Sequence, residues 1–144
     1  MVKWNENTFI DCIKDNCPPH ILNVLMDFIK FGEQQADIVS WGRGEGHGTM
    51  TYKVKSDDWG IIPIFHISTN GRIKFLLNHM RGKVRKHEIL RDYTIKLESN
   101  FMMDFDEVSY TADIYYEIED LFHTKSDTEK FMETVKGISA RLHQ

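Results

Sequence analysis

Residues 41–50 read WGRGEGHGTM, with glycine at 42, 44, 46 and 48 and Arg43, Glu45 and His47 between them. A glycine-rich turn leaves successive backbone N–H groups uncovered, and such groups can form a nest for an anion. Arg43 and His47 would supplement that nest, and Trp41 could stack on a ligand ring or pack underneath. The candidate ligand-binding set is therefore Trp41, Arg43, Gly44, Glu45, His47 and Thr49. An imidazole with an unperturbed pKa near 6.5 works as acid or base close to neutrality, so a small enzyme built on this loop would use His47. The structural alternative is a hairpin tip whose glycines supply positive φ and whose Trp41 belongs to the core.

The context of the loop rules out its better-known relatives. A dinucleotide fingerprint opens a helix, whereas the segment that follows here, TMTYKV, alternates like a strand. No GK[ST] is present for a Walker loop, and a kinase-type glycine loop would need an HRD or DFG elsewhere. The seven histidines include no H-E-x-x-H or H-x-x-x-H pair. His66 reads as a half-buried, hydrogen-bonded strand residue. Asp57 and Asp58 read as turn residues, and Ser40 and Ser68 lack a nucleophile elbow. No acid stands two residues before Lys53 or Lys55, as a restriction-type nuclease strand would need. Cys12 and Cys17, spaced C-x4-C with no second pair, read as reduced thiols rather than a zinc site. These motifs lean away from an enzyme and imply no metal and no cofactor.

The second candidate surface is electrostatic. Residues 72–96 carry eight cations, among them Arg72, Lys74, Arg81, Lys83, Arg85, Lys86 and Arg91, against Glu88 and Asp92, a formal balance of +6. Residues 98–133 reverse this with eleven acids and two lysines, a balance of −9. Local fields of this kind govern association more than the net charge of −4 does. One expectation is that the two blocks are neighbouring solvated faces that attract each other within the fold. The other is that the basic stretch, densest at MRGKVRKH, binds an anionic partner, nucleic acid or protein. Aromatic residues are sparse there, with Phe75 and Tyr93 alone nearby, so a single-strand stacking platform is not expected. The acidic half, in turn, could serve a stand-alone inhibitor or immunity-type protein.

Periodicity supplies the elements that must position these residues. Thr8 to Lys14 reads as a short helix capped by Asn7. A second helix starts at Pro18-Pro19, carries Ile21, Leu22, Leu25, Phe28 and Ile29, and ends between Phe31 and Gln35. The period then changes to two. Strands are expected at 37–41, 49–55, 61–67 and 72–76, the third central and disturbed by Pro63, with Asn70-Gly71 as a type I′ hairpin turn. A helix over 84–98 follows, with Ile89, Leu90, Tyr93 and Leu97 inward. Residues 99–112 fit no pattern, 112–122 read as a short acidic helix, and Ser126 with Glu129 reads as the capping box of a last helix. The fold class is α+β: a four-stranded antiparallel meander, about residues 37–77, flanked by N-terminal and C-terminal amphipathic helices.

At 144 residues the chain suits one globular domain, 1–144, able to bury roughly 70% of its unfolded surface. No apolar run reaches signal-peptide or membrane-span length, so a cytoplasmic protein with no membrane partner is expected; oligomeric state is left open. The loop has one further reading. Trp41, Gly42, Arg43, Gly44, Gly48 and Thr49, followed by a meander with Thr69-Asn70-Gly71, resemble an uncharacterised bacterial α+β domain with a W-G-x-G-x-x-x-G-[ST] signature. That domain is sometimes appended to nuclease-like proteins. The resemblance spans residues 18–142, implies no activity, and fits an accessory or regulatory subunit.

Overall fold

The computed structural model describes residues 4–42, 47–103 and 113–144. Helix α1 (Glu6–Asn16) starts two residues before the expected Thr8 because Asn5, not Asn7, caps it. The Asn5 carboxamide oxygen accepts the Thr8 N–H at 2.9 Å, and the Thr8 hydroxyl accepts the Asn5 N–H at 2.9 Å. Two orphan donors are satisfied reciprocally, which favours this start over the neighbouring asparagine. Helix α2 (Pro19–Gln35) places Pro19 in its first turn, where a missing N–H costs nothing, and ends within the expected window. Its buried stripe includes Val24, Leu25, Phe28 and Ile29.

Strands β1 (Ile38–Trp41), β2 (Thr49–Ser56), β3 (Gly60–Ser68) and β4 (Arg72–Phe75) form the expected antiparallel meander, but the sheet does not end there. A fifth strand, β5 (Tyr115–Glu117), pairs antiparallel with β4, so the four-stranded expectation is corrected to five strands in the order β1-β2-β3-β4-β5. The segment expected as an acidic helix is extended at Tyr115-Tyr116 and helical only over α5 (Ile118–Leu121). Tyr116 stands opposite Ile73, with its ring 5.8 Å from Phe75, a cross-strand contact that a helix would forfeit.

Pro63 does disturb β3, which is central. The register runs Tyr52 to Phe65 and then Lys53 to Pro63, leaving Ile64 as the extra residue of a bulge. The Ile64 carbonyl is satisfied by the Leu76 N–H at 3.1 Å and the Tyr93 hydroxyl at 3.3 Å. At the other end of β3 the turn differs from the expected type I′. Gly71 alone has positive φ (79°), and its N–H donates to the Ser68 carbonyl at 3.2 Å. The connection is thus a three-residue loop with glycine in the left-handed position, not a two-residue turn with both centres there.

The helix expected over 84–98 forms three residues later, and a second, unexpected helix precedes it. Helix α3 (Leu77–Lys83) is followed by Val84-Arg85-Lys86 and then by α4 (His87–Phe101). The first helix is legible only in three dimensions, because its opening turn is capped by a distant residue. Asp113 accepts the Asn78 N–H at 2.8 Å and the His79 N–H at 3.2 Å. Buried Val84 anchors the link between the helices. Helix α6 (Lys125–Leu142) is capped by Thr124 and Asp127, not by the expected Ser126 and Glu129. Both pairs fit the pattern. Starting earlier lets Asp127 accept the N–H groups of both Thr124, at 3.1 Å, and His123, at 3.0 Å.

Register divides the sheet into two faces. Met50, Tyr52, Phe65, Ile67, Ile73 and Phe75 face α2 and α6 and are buried. The opposite face carries a row that crosses all five strands: Ser40, Thr51, His66, Lys74 and Tyr115. Among the described residues no helix is long and apolar enough to cross a membrane.

Candidate functional site

The glycine loop is pinned at its base. The Gly42 N–H donates to the Thr49 carbonyl at 2.8 Å, and the Gly42 carbonyl accepts the Trp4 N–H at 3.2 Å. Gly48 and Thr69 exchange two bonds, both at 3.0 Å, one of them to the Thr69 hydroxyl. Neither Gly42 nor Gly48 has positive φ. They are glycine because the chain is crowded. A Cβ at 48 would lie 2.4 Å from the Trp4 indole, and one at 42 would lie 2.0 Å from the Thr49 hydroxyl. Trp41 is half-buried and packs its ring 5.4 Å from Phe9. Arg43, Gly44 and Glu45 lie outside the described residues.

Gly48→Ala should therefore destabilise the fold by about 1–3 kcal/mol through overpacking against Trp4. Urea unfolding of the variant checks this, and partial recovery in the Trp4→Leu background would locate the clash.

Beside the loop base lies a cleft of about 440 Å³ whose lining includes Cys12, Cys17, His47, Asn70, Glu117 and Glu119. Its chemistry argues against an anion cradle. Two carboxylates face it, and Pro18 and Pro19 remove two N–H groups from the adjacent start of α2. Burial and the neighbouring Cys12 push the Cys17 thiol pKa up, and that thiol donates to the Thr69 carbonyl at 3.5 Å. Both cysteines are free thiols. Among the described residues no three His, Cys, Asp or Glu side chains are grouped to hold a metal ion.

His66 is half-buried and hydrogen-bonded, as expected, with Nδ1 2.5 Å from the Thr51 hydroxyl. Burial, and then the charges of Lys74 and Lys53, lower its pKa to about 4. The unfolded chain takes up this proton near pH 6.5 and the folded chain only near 4. Stability from this group is therefore complete above pH 6.5 and lost as pH falls toward 4. Screening at a partly exposed ring leaves about 1–2 kcal/mol of the full linkage. Unfolding curves at pH 7.5 and pH 4.5, run with His66→Gln, should show that fall in the parent and a flatter profile in the variant.

The structure divides the basic stretch. Arg72 is neutralised by Glu117 at 2.9 Å, and Lys74 lies over the Tyr115 ring, 4.2 Å from its centroid. Asp92 pairs with Arg141 of α6, and the Lys96 ammonium lies beside that helix at Gly137. Of these contacts Arg72–Glu117 joins the basic stretch to the acidic one, whereas Arg141 and Gly137 lie outside both stretches. The remaining cations gather elsewhere. Arg81 and Lys83 lie on α3, Arg85 and Lys86 on the link, and Arg91 in the second turn of α4. All but Arg81 are exposed. A groove of about 540 Å³ between the two helices is lined by Arg81, His87, Glu88, Leu90, Arg91 and Thr94.

The loop and this edge are not one surface. Lys83 donates to the Ile61 carbonyl at 3.1 Å, at one end of β3, while the loop base is tied to Thr69 beyond the other end. At the usual rise of a strand, the two ends are about 25 Å apart. Asp57 and Asp58 lie in the turn before β3, at the same end of that strand as Ile61. Sequence reading missed the short helix α3, which carries Arg81 and Lys83 up to the link before α4.

No family model matches the chain, and no curated protein or solved structure matches it significantly. The functional reading rests on the geometry of its own residues.

Proposed function

We propose that the chain is a non-catalytic binding module whose α3–α4 edge grips the phosphate backbone of a nucleic acid. One observation carries the reading. Arg81, Lys83, Arg85, Lys86 and Arg91 follow one another on α3, the short link and the second turn of α4, and Arg81 and Arg91 line the groove there together with Glu88. Phosphate contacts need no stacking platform, so the scarcity of aromatic side chains here is no objection. An accessory role beside a nucleic-acid enzyme accords with the resemblance of the Trp41–Thr49 stretch to a domain carried on nuclease-like proteins.

Fluorescence anisotropy with a labelled oligonucleotide of mixed sequence tests this. Four to five phosphate contacts predict an affinity that falls about 100-fold between 50 and 200 mM salt. Binding that ignores salt, or no binding up to about 100 μM at low salt, would sink the proposal. Capture of an acidic protein in place of the oligonucleotide would reassign the edge to a protein partner.

A further inference from the structure

The two helices that carry the basic edge also leave one stripe of α4 uncovered. Ile89, Leu90, Tyr93 and Leu97 are buried, while Asp92 is held by Arg141 on the side of α6. The free stripe runs through Glu88, Arg91 and Ile95, with Thr94 at its margin. Ile95 is 45% exposed in the midst of charged neighbours. A methyl-rich side chain beside a guanidinium, a hydroxyl and a carboxylate is the set of groups that distinguishes base edges. Arginine reads guanine O6 and N7, a carboxylate accepts from cytosine N4, and apolar groups contact the thymine methyl.

We infer that α4 enters the major groove of double-stranded DNA and reads sequence there, an inference that rests on the reading of this edge as a nucleic-acid surface. The B-form major groove, about 12 Å wide, admits an α-helix, whereas the deep, narrow major groove of duplex RNA does not. A three-residue link joins α3 to α4, and where a helix reads the major groove its N-terminal residues meet the bases while flanking groups hold the backbone. In this chain Lys83, Arg85 and Lys86 contact phosphates. Glu88, Arg91, Thr94 and Ile95, along the first three turns of the helix, face the base pairs.

The test is selection from a pool of duplex DNA with a randomised core, followed by anisotropy on the selected duplex, its scrambled version and the same sequence as duplex RNA. The selected duplex should bind about 10-fold or more tightly than the scrambled one, and the RNA no better than the scrambled DNA. Arg91→Ala should relax the preference at one or two base pairs. Arg85→Ala with Lys86→Ala should weaken all duplexes alike and lower the salt slope by about 2. Salt-dependent binding with no enriched sequence would overturn this inference and leave the proposed function standing. Absence of binding to any nucleic acid would overturn both.

Discussion

Arg85→Glu combined with Lys86→Glu should weaken oligonucleotide binding about 100-fold or more at low salt. The two residues supply roughly 1.8 of the salt slope, since each phosphate contact releases about 0.9 counterion equivalents on duplex DNA. Reversal adds repulsion from the remaining phosphates, which deletion to alanine would not. The fold should be unaffected. Both side chains are exposed on the link between α3 and α4, and surface changes of this kind usually stay within about 0.5 kcal/mol. Total charge is controlled by Lys125→Glu with Lys130→Glu, two exposed positions on α6 that change the net charge equally. If that control weakens binding as much as the pair on the link, the effect is the long-range field of the whole protein. The α3–α4 edge would then hold no special place.

How far the sequence foretold this edge is a question of what holds each element. The meander was legible because alternation is local: Met50, Tyr52 and Val54 point one way whatever else the chain does. Pro63 announced its bulge by the donor it lacks. The fifth strand was not legible, since three residues hold no period, and Tyr115 to Glu117 is extended only because β4 lies beside it. Helix α3 escaped for the same reason. Its capping group, Asp113, is 35 residues away from Asn78 in the chain. The cap of α6 was off by two residues because Thr124-Asp127 and Ser126-Glu129 both satisfy one pattern, and sequence does not rank them. The cations of the basic stretch were legible as a cluster along the chain. Their division into Arg72 and Lys74, engaged within the sheet, and the five at α3–α4 depends on contacts such as Arg72 to Glu117. Gly42 and Gly48 were seen, but the positive φ expected of such glycines is not why they are there. Trp4, the reason for Gly48, is 44 positions earlier.

Phe131→Ala should be the most damaging single substitution, costing about 3–5 kcal/mol. The ring is fully buried and lies 5.0 Å from Phe65, 5.4 Å from Phe28 and Phe75, 5.7 Å from Phe122 and 6.4 Å from Phe101. Those partners belong to β3, α2, β4, the end of α5 and the end of α4, so one side chain joins the sheet to three helices. Truncation removes its burial and leaves a cavity walled by rings whose own positions are fixed by the sheet, so the site has little room to collapse. Against the 5–15 kcal/mol typical of a domain, this is a large share, and the melting point should fall by about 10 °C. Phe131→Leu, which fills most of the space, should lose less than half as much. Urea unfolding gives both values. A loss under about 1.5 kcal/mol for the alanine variant would mean that α6 repacks and that the aromatic cluster is not what ties the layers together. The consequence for binding follows from the same geometry. Helix α4 is held to α6 through Phe101 and through Asp92 with Arg141, so loosening Phe131 frees the C-terminal end of α4 while its basic first turns stay attached to α3. At temperatures well below melting, Phe131→Ala should therefore keep the salt slope of oligonucleotide binding, because the phosphate contacts are intact. Any sequence preference should weaken, because reading base edges requires the helix to be held rigidly in the groove.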